Sequence, residues 1–400
     1  LIGRIRSKNL AKLRRLIQSI EEEHSMGAAK RALIVGGGIG GLSAAIALRK
    51  RGIEVDLIEK SPPNMVPGVG IILQGNALRA LHALGVLDAC LAAGCPFKGF
   101  TFFDAQGQNP RTLLGALTAG PHYPAMLGIT RAAYSNILTQ AAREANARLS
   151  YQITVKDLAQ DDSGIEVKLS DGGSARYDVV VAADGIYSSI RQMIFGSSGA
   201  PRYTGQAAWR VNLPRPKEVD TLQLYESDGG RKAGLVPLRE DLMYLFLNDQ
   251  SPDPSPPKEN LAATLRDRLG PFGGLISDMR DRHIHDSSEI VWKTFDVVDL
   301  PTPWHRGRVI VIGDAAHAAT AHLGQGGAMA SEDALVVAEE LDRSDSVPLA
   351  LERFMRRRYQ RVHLIQEWSH QICKWEMEKT PGADPVGLTA KAFELVQQPI

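Results

Sequence analysis

Three stretches of the chain place glycines or an acid directly after an apolar run, and one kind of chemistry would use all of them. In "RALIVGGGIGGLSAA", Gly36, Gly38 and Gly41 follow the run 31–35 with the spacing G-x-G-x-x-G, and Glu59 closes the next run, "EVDLIE". Glycines so spaced make a tight turn, let the backbone approach a pyrophosphate and pack a helix closely on a strand. The helix that follows aims free N–H groups and partial positive charge at the phosphates. An acid about 20 residues further on can accept two bonds from ribose hydroxyls, and Glu59 stands there. In "YDVVVAADGIYSSIR", Asp184 ends a second run, with Arg191 downstream. "RVIVIGDAAHAATAHLGQGG" delivers Asp314, His317 and His322, then Gly324, Gly326 and Gly327. Each feature also has a plainer reading: a turn used only for packing, or aspartates that cap the helices after them. The packing turn gives Glu59 no task. The complete fingerprint occurs once, so one dinucleotide is held permanently and a second one visits.

Elements that could position these groups follow from the hydrophobic pattern. Short apolar runs before each glycine or acid read as buried strands, and 40–51 reads as a helix. Between Arg202 and Asp249 the pattern changes to short alternating strands, "AAWRVNL", "TLQLYES", "RKAGLVPL" and "LMYLFLND", separated by hairpin signals. The expected fold is α/β: a Rossmann-like cofactor domain carrying an inserted antiparallel-sheet substrate domain, with helices at the C-terminus. The expected boundaries are 26–200 for the first part of the cofactor domain, with a substrate-domain excursion near 68–125. Residues 201–285 form the substrate sheet, 286–345 the second part of the cofactor domain, and 346–400 helices from Val347 to Glu378 followed by a loosely specified tail after Thr380. Residues 1–25 carry Leu10, Leu13, Ile17 and Ile20 at helical spacing. They read as a leader or tag segment, or alternatively as a partner- or membrane-binding helix.

Composition excludes several classes. A net charge of +1 gives no electrostatic case for nucleic acid. Cys90, Cys95 and Cys373 are too scattered for a disulfide framework or a zinc site, which suits the cytoplasm. His283 and His285 fit no metal spacing, and no metal is expected. No apolar run reaches membrane-spanning length.

Together, "GGGIGGLSAA" with Glu59, "AADGIYSSIR" and "GDAAHAATAHLGQGGAMASEDA" resemble the single-component FAD-dependent aromatic hydroxylases, in the family's order and over roughly Lys30 to Arg358. The resemblance implies FAD as the resident dinucleotide. It assigns Gly36, Gly38, Gly40 and Gly41 to the pyrophosphate, Glu59 with Lys60 to the adenosine ribose, and Arg131 to closure over the cofactor. Asp184 and Arg191 fall in a motif linked to both FAD and NAD(P)H. Asp314 would accept bonds from the ribityl chain, while Gly324, Gly326, Gly327 and Ala328 would let backbone approach the flavin. Two departures stand out: Ala321 and Gly75 occupy positions where the family commonly has proline, and Gly75 would loosen its loop.

The resemblance further implies a reaction. NADH or NADPH delivers hydride to FAD, O2 adds to the reduced flavin as a C4a-hydroperoxide, and an electron-rich ring attacks the distal oxygen. The chain is similar to the salicylate, nicotinate and urate branch, so its expected partner is a small aromatic or heteroaromatic substrate. Tyr244, seven residues after Pro237, resembles that branch's catalytic tyrosine, or is a half-buried strand tyrosine. Lys232 lies where the branch has a basic residue, and by its own surroundings reads as an exposed hairpin lysine. Arg210 faces the flavin or an anionic substrate, or makes a structural salt bridge. His322 is a pocket residue or a solvent-facing loop histidine, and His317 supports the turn. The alternatives are a monooxygenase of larger polyketide- or tetracycline-like substrates and a flavin-bearing binding protein without turnover.

Overall fold

The valine- and isoleucine-rich runs are strands buried on both faces, the pattern of a parallel sheet covered by helices. A computed structural model describes residues 27–63, 65, 68–227, 230–258 and 260–400. The amphipathic segment 1–25 therefore lies outside the described residues. Six strands form the first sheet, in the order His305–Arg306, Val309–Val311, Val179–Ala182, Arg31–Val35, Glu54–Glu59 and Arg148–Tyr151, parallel but for the first. Val35 lies level with Ala182, and Ala182 with Val311. One residue beyond, all three chains turn. That register is why Gly36, Asp184 and Asp314, scattered along the sequence, emerge at one sheet edge beside Glu59.

Seven strands form the second sheet, in the order Val291–Val297, Arg202–Pro214, Leu242–Gln250, Lys232–Pro237, Leu222–Glu226, Gly99–Asp104 and Arg111–Leu114. It is antiparallel except where Leu222–Glu226 runs parallel to Gly99–Asp104. Its outer strands come from both sides of the chain, before residue 125 and beyond residue 285. One face packs on its own core of Trp209, Leu235, Leu245, Leu247 and Phe272; the other turns toward the edge of the parallel sheet.

Two helices at the C-terminus complete the fold. Val347–Glu378 is a single helix of 32 residues. The expected loose tail is instead a second helix, Pro385–Gln397. Its start was legible: Asp384 caps it by accepting the Gly387 N–H at 2.8 Å, and Pro385 takes the first turn, where its missing N–H costs nothing. Its end is held by arginines. Arg361 donates to the carbonyls of Leu395, Val396 and Gln398, and Arg79 to those of Val396 and Gln397. Cations there also offset the negative end of the helix dipole.

Those arginines belong to a buried ion network centred on Glu332 and Asp333, both wholly inaccessible. Arg358, also wholly inaccessible, donates to Glu332 Oε2 at 2.7 Å and to Asp333 Oδ1 at 2.8 Å. Arg361 donates to both oxygens of Glu332 at 3.1 Å. The second oxygen of Asp333 accepts the Gly313 N–H at 3.0 Å and meets His317 Nε2 at 2.6 Å. Burial by itself would raise the Asp333 carboxyl; His317 and Arg358 bring it below its usual value. Losing Arg358 takes a cation and a hydrogen bond from two buried carboxylates at once. Arg358→Leu is therefore expected to cost about 3–5 kcal/mol of stability, read from the denaturant midpoint of the purified protein; a cost under about 1 kcal/mol would contradict the network's role.

Candidate active site

Between the edge of the parallel sheet and the open face of the seven-stranded sheet lies a cavity of about 720 Å³. Its floor is the sheet edge. Gly36 has φ +109°, and a Cβ there would meet the Ala183 carbonyl oxygen at 2.4 Å. A Cβ on Gly41 would sit 1.9 Å from the Gly36 carbonyl, so that glycine serves helix-on-strand packing and does not line the cavity. At Gly38 a Cβ would meet nothing within 4 Å, which leaves open space over the turn. Helices Ile39–Arg49 and Gly326–Arg343 pack side by side, joined by the Ser43 and Ser331 hydroxyls at 3.2 Å. Both present their N-termini to the cavity, through Gly38 and Gly40 on one and Gly326 and Gly327 on the other. Two such ends favour a negatively charged group between them.

The acids at the edge differ in what they are free to do. Glu59 lines the cavity and accepts the Gly37 N–H and the Ser61 N–H, each at 2.7 Å. These bonds fix the carboxylate and leave a lone pair on each oxygen. Asp184 accepts from Ser188 Oγ at 2.5 Å, from Ser189 N and Oγ at 2.8 and 3.2 Å, and from Ile190 N at 3.2 Å. Ser188 is the N-cap of the helix Ser189–Phe195, accepting the Arg191 N–H at 2.9 Å, and Asp184 adds acceptors for the Ser189 and Ile190 N–H groups while still touching the cavity. Asp314 is exposed to the cavity and has no hydrogen-bond partner among the described residues. Lys60, Arg131 and Gly324 also line the cavity; Ala328 is buried in its helix and does not. Arg191 is buried too, donating to the Ala315 and Ile186 carbonyls at 2.7 and 2.8 Å, so it joins the second motif to the third.

The roof is the open face of the second sheet, and its pairing register sorts the side chains into rows. One row runs Arg210, Phe246, Gly234, Leu224 and Phe102. Gly234 is required: a Cβ there would meet the Phe246 ring at 2.4 Å. Tyr244 stands one row to one side; Asn248, Lys232 and Glu226 form the row on the other. Arg210 has no hydrogen bond or ion pair among the described residues, so its salt-bridge reading is not what the fold shows. Burial pushes its guanidinium down, the neighbouring Tyr244 acts the other way, and Arg131 adds to the depression. The Tyr244 phenol is raised by burial, with Arg210 and Arg131 opposing. Arg210 and Tyr244 thus share one corner.

Lys232 and His322 depart from their plainer readings. Lys232 is buried, not an exposed hairpin lysine, and donates to Glu376 Oε1 at 2.5 Å and lies 3.3 Å from Glu226 Oε1. Burial alone would lower its ammonium; Glu376 and Glu226 more than reverse this. The His322 side chain is wholly inaccessible, not solvent-facing, with Nε2 2.9 Å from Glu376 Oε2. Glu376, a residue that pattern reading missed, sits near the end of the long helix, which is packed against the sheet only in the folded chain. Burial would raise its carboxyl, but His322 and Lys232 hold it well below the carboxylate range. Pro385 and Thr389, from the unexpected C-terminal helix, also line the cavity. His317 supports the turn as expected, through Asp333. Gly75 does not loosen its loop: it is buried at the start of Gly75–Leu84, where a Cβ would meet the Ala116 carbonyl oxygen at 2.7 Å.

A cradle of glycines and helix N-termini under a chamber defines a dinucleotide-binding protein, and comparison with known proteins names the dinucleotide and the chemistry. Residues 30–344 match the family of FAD binding domains, so the chain belongs to that family. It is 30% identical to the 2-heptyl-3-hydroxy-4(1H)-quinolone synthase of Pseudomonas aeruginosa over 358 residues, 86% of this chain and 90% of that protein. To the 3-hydroxybenzoate 6-hydroxylase 1 of Aquipseudomonas alcaligenes it is 29% identical, covering 84% and 87%. The crystal structure of Klebsiella pneumoniae HpxO with FAD and uric acid matches its fold with a TM-score of 0.77 at 24% identity, covering 92% of each chain. The protein is an FAD-dependent monooxygenase. No helix among the described residues is long and apolar enough to cross a membrane.

The open and the occupied acid separate cofactor binding from stability. Asp314→Ala is expected to weaken FAD binding about tenfold or more while leaving the unfolding midpoint of the FAD-free protein in place. Asp184→Ala, which removes acceptors from the first turn of a helix, should cost about 1–2 kcal/mol of stability. Fluorescence titration with FAD and denaturant unfolding read the two; an Asp314 variant that binds FAD normally would remove that residue from the site.

Proposed function

We propose that the protein hydroxylates a small electron-rich aromatic or heteroaromatic ring, with O2 as co-substrate and NADH or NADPH as transient reductant. The observation that carries this reading is Arg210, a half-buried cation that lines the chamber with no counter-ion among the described residues, beside the Tyr244 hydroxyl, which likewise has no partner among them, and facing apolar walls. Bound FAD supplies the redox chemistry that passes electrons from the nicotinamide to oxygen. Everything else is the work of this chain. Gly36, Gly38, Gly40 and the N-termini of two helices hold the pyrophosphate, Glu59 and Lys60 the ribose, and Asp314 the ribityl hydroxyls, with Arg131 above.

A free phenol ionises near pH ~10, and a cation beside it favours the phenolate, which is the more electron-rich and more readily attacking ring. Arg210 is placed to favour that anion, and Tyr244 to orient it by a hydrogen bond. Phe100, Phe102, Leu222, Leu224 and Phe246 line the chamber, hold the ring in plane and keep water out. The two relatives named above, one for a hydroxybenzoate and one for a quinolone, support the same class.

The test is substrate-stimulated consumption of NADH or NADPH and O2 by the FAD-loaded protein, across hydroxybenzoates, hydroxypyridines, purines and quinolones. At least one ring should raise the rate about tenfold or more and appear as its hydroxylated product, and Arg210→Met should lower kcat/KM for that ring about 30- to 100-fold. If no ring stimulates consumption, the proposed reaction is wrong.

A further inference from the structure

The chamber has a second polar row, two rows from Tyr244 and one from Arg210. Lys232 and Asn248 are register partners across neighbouring strands, one row from Phe246 and about 7 Å along the sheet from it. Both line the chamber. Asn248 is only 5% exposed, yet its amide has no hydrogen-bond partner among the described residues. Its amide opens onto the chamber, where a ligand that displaces water can complete it. Lys232 has three N–H donors. Glu376 takes one at 2.5 Å and Glu226 lies 3.3 Å away as an ion-pair partner, so at least one donor is left for a ligand. Glu376 is itself braced by His322 at 2.9 Å and by Gln206 Nε2, which donates at 3.2 Å. The lysine is therefore held in one place at the chamber wall, with its charge more than offset by the two carboxylates.

We propose that Lys232 and Asn248 form a subsite for the polar edge of the substrate ring, a carbonyl or hydroxyl oxygen that accepts from Lys232 while Asn248 pairs with the group beside it. This rests on the reading of the protein as a ring hydroxylase and adds the chemistry by which the ring is recognised. Lys232 and Asn248 contact the ligand; Glu376 is a positioning residue that acts through Lys232. With Tyr244 two rows away, and Arg210, Phe246, Leu224 and Phe102 in the row between, the favoured ligand is a flat ring with oxygen at both poles. The charge balance at Lys232 distinguishes the two rows. Arg210, with no counter-ion among the described residues, selects an anion, whereas the Lys232 cluster, one ammonium facing two carboxylates, disfavours an anion and selects a neutral acceptor.

The subsite can be tested by binding alone. FAD-loaded protein is titrated with 4(1H)-quinolone and with quinoline, which lacks the carbonyl, and the flavin absorbance change gives each Kd. The unsubstituted protein should favour the quinolone about tenfold or more. Asn248→Leu, which introduces no unpaired charge, and Lys232→Met should each bring the preference to within about threefold while quinoline binding stays nearly constant. Glu376→Gln should lower the preference in the same direction, a ratio that general loosening of the fold would not move. FAD content checks that each variant is folded. No preference in the unsubstituted protein, no binding of either ring, or variants that weaken both rings equally would overturn the subsite. A protein that shows the preference but consumes no NADH or NADPH with any ring keeps the subsite and loses the proposed reaction.

Discussion

The buried charges of Glu332 and Asp333 are the constraint on which the rest of the site depends. A carboxylate removed from water is tolerated only when cations and hydrogen bonds replace its hydration. Here the replacements come from distant parts of the chain: Arg358 and Arg361 from the long helix, Arg79 from an early one, and His317 and the Gly313 N–H from the third motif. Satisfying two charges thus docks the long helix on the cofactor domain and sets the turn that presents Asp314. Through Arg361 and Arg79 it also holds the end of the C-terminal helix, whose Pro385 and Thr389 line the chamber.

Paired and unpaired charges divide the protein into scaffold and site. Asp184, Asp333 and Glu376 each have their oxygens occupied by the protein, and each holds two elements in register. Asp314 and Arg210 face the cavity with nothing among the described residues to neutralise or bond them. A fold that satisfies almost every buried polar group and leaves these open is arranged around what is to bind there. The two sheets play matching parts. The parallel one gathers loops at its edge, and the antiparallel one offers a flat face whose rows alternate apolar and polar groups about 7 Å apart.

Much of the cofactor half was legible in the sequence because its signals are local. A G-x-G-x-x-G turn between strand and helix, and an acid at the end of the next strand, state their geometry within a few dozen residues. Both readings of Asp184 fit its sequence, and an acceptor at the helix start is what forms because Ser188 and Ser189 follow it closely. The substrate half was legible as strands but not as a site. Which face of each strand looks into the chamber, and what stands opposite, depends on pairings between segments far apart. Lys232 illustrates this: its hairpin position suggests exposure, and only the packing of the long helix buries it against Glu376.

The sequence by itself determined the two-sheet α/β class, the nucleotide-binding turns and the order in which they occur. These follow from backbone conformational limits and hydrophobic period, which act over short distances. The tertiary structure alone decided that Arg210 is left without a counter-ion among the described residues, that Lys232 and His322 share Glu376, and that the C-terminal segment becomes a helix against the chamber. Charge neutralisation and burial are properties of neighbours in space, and no single stretch of chain contains them.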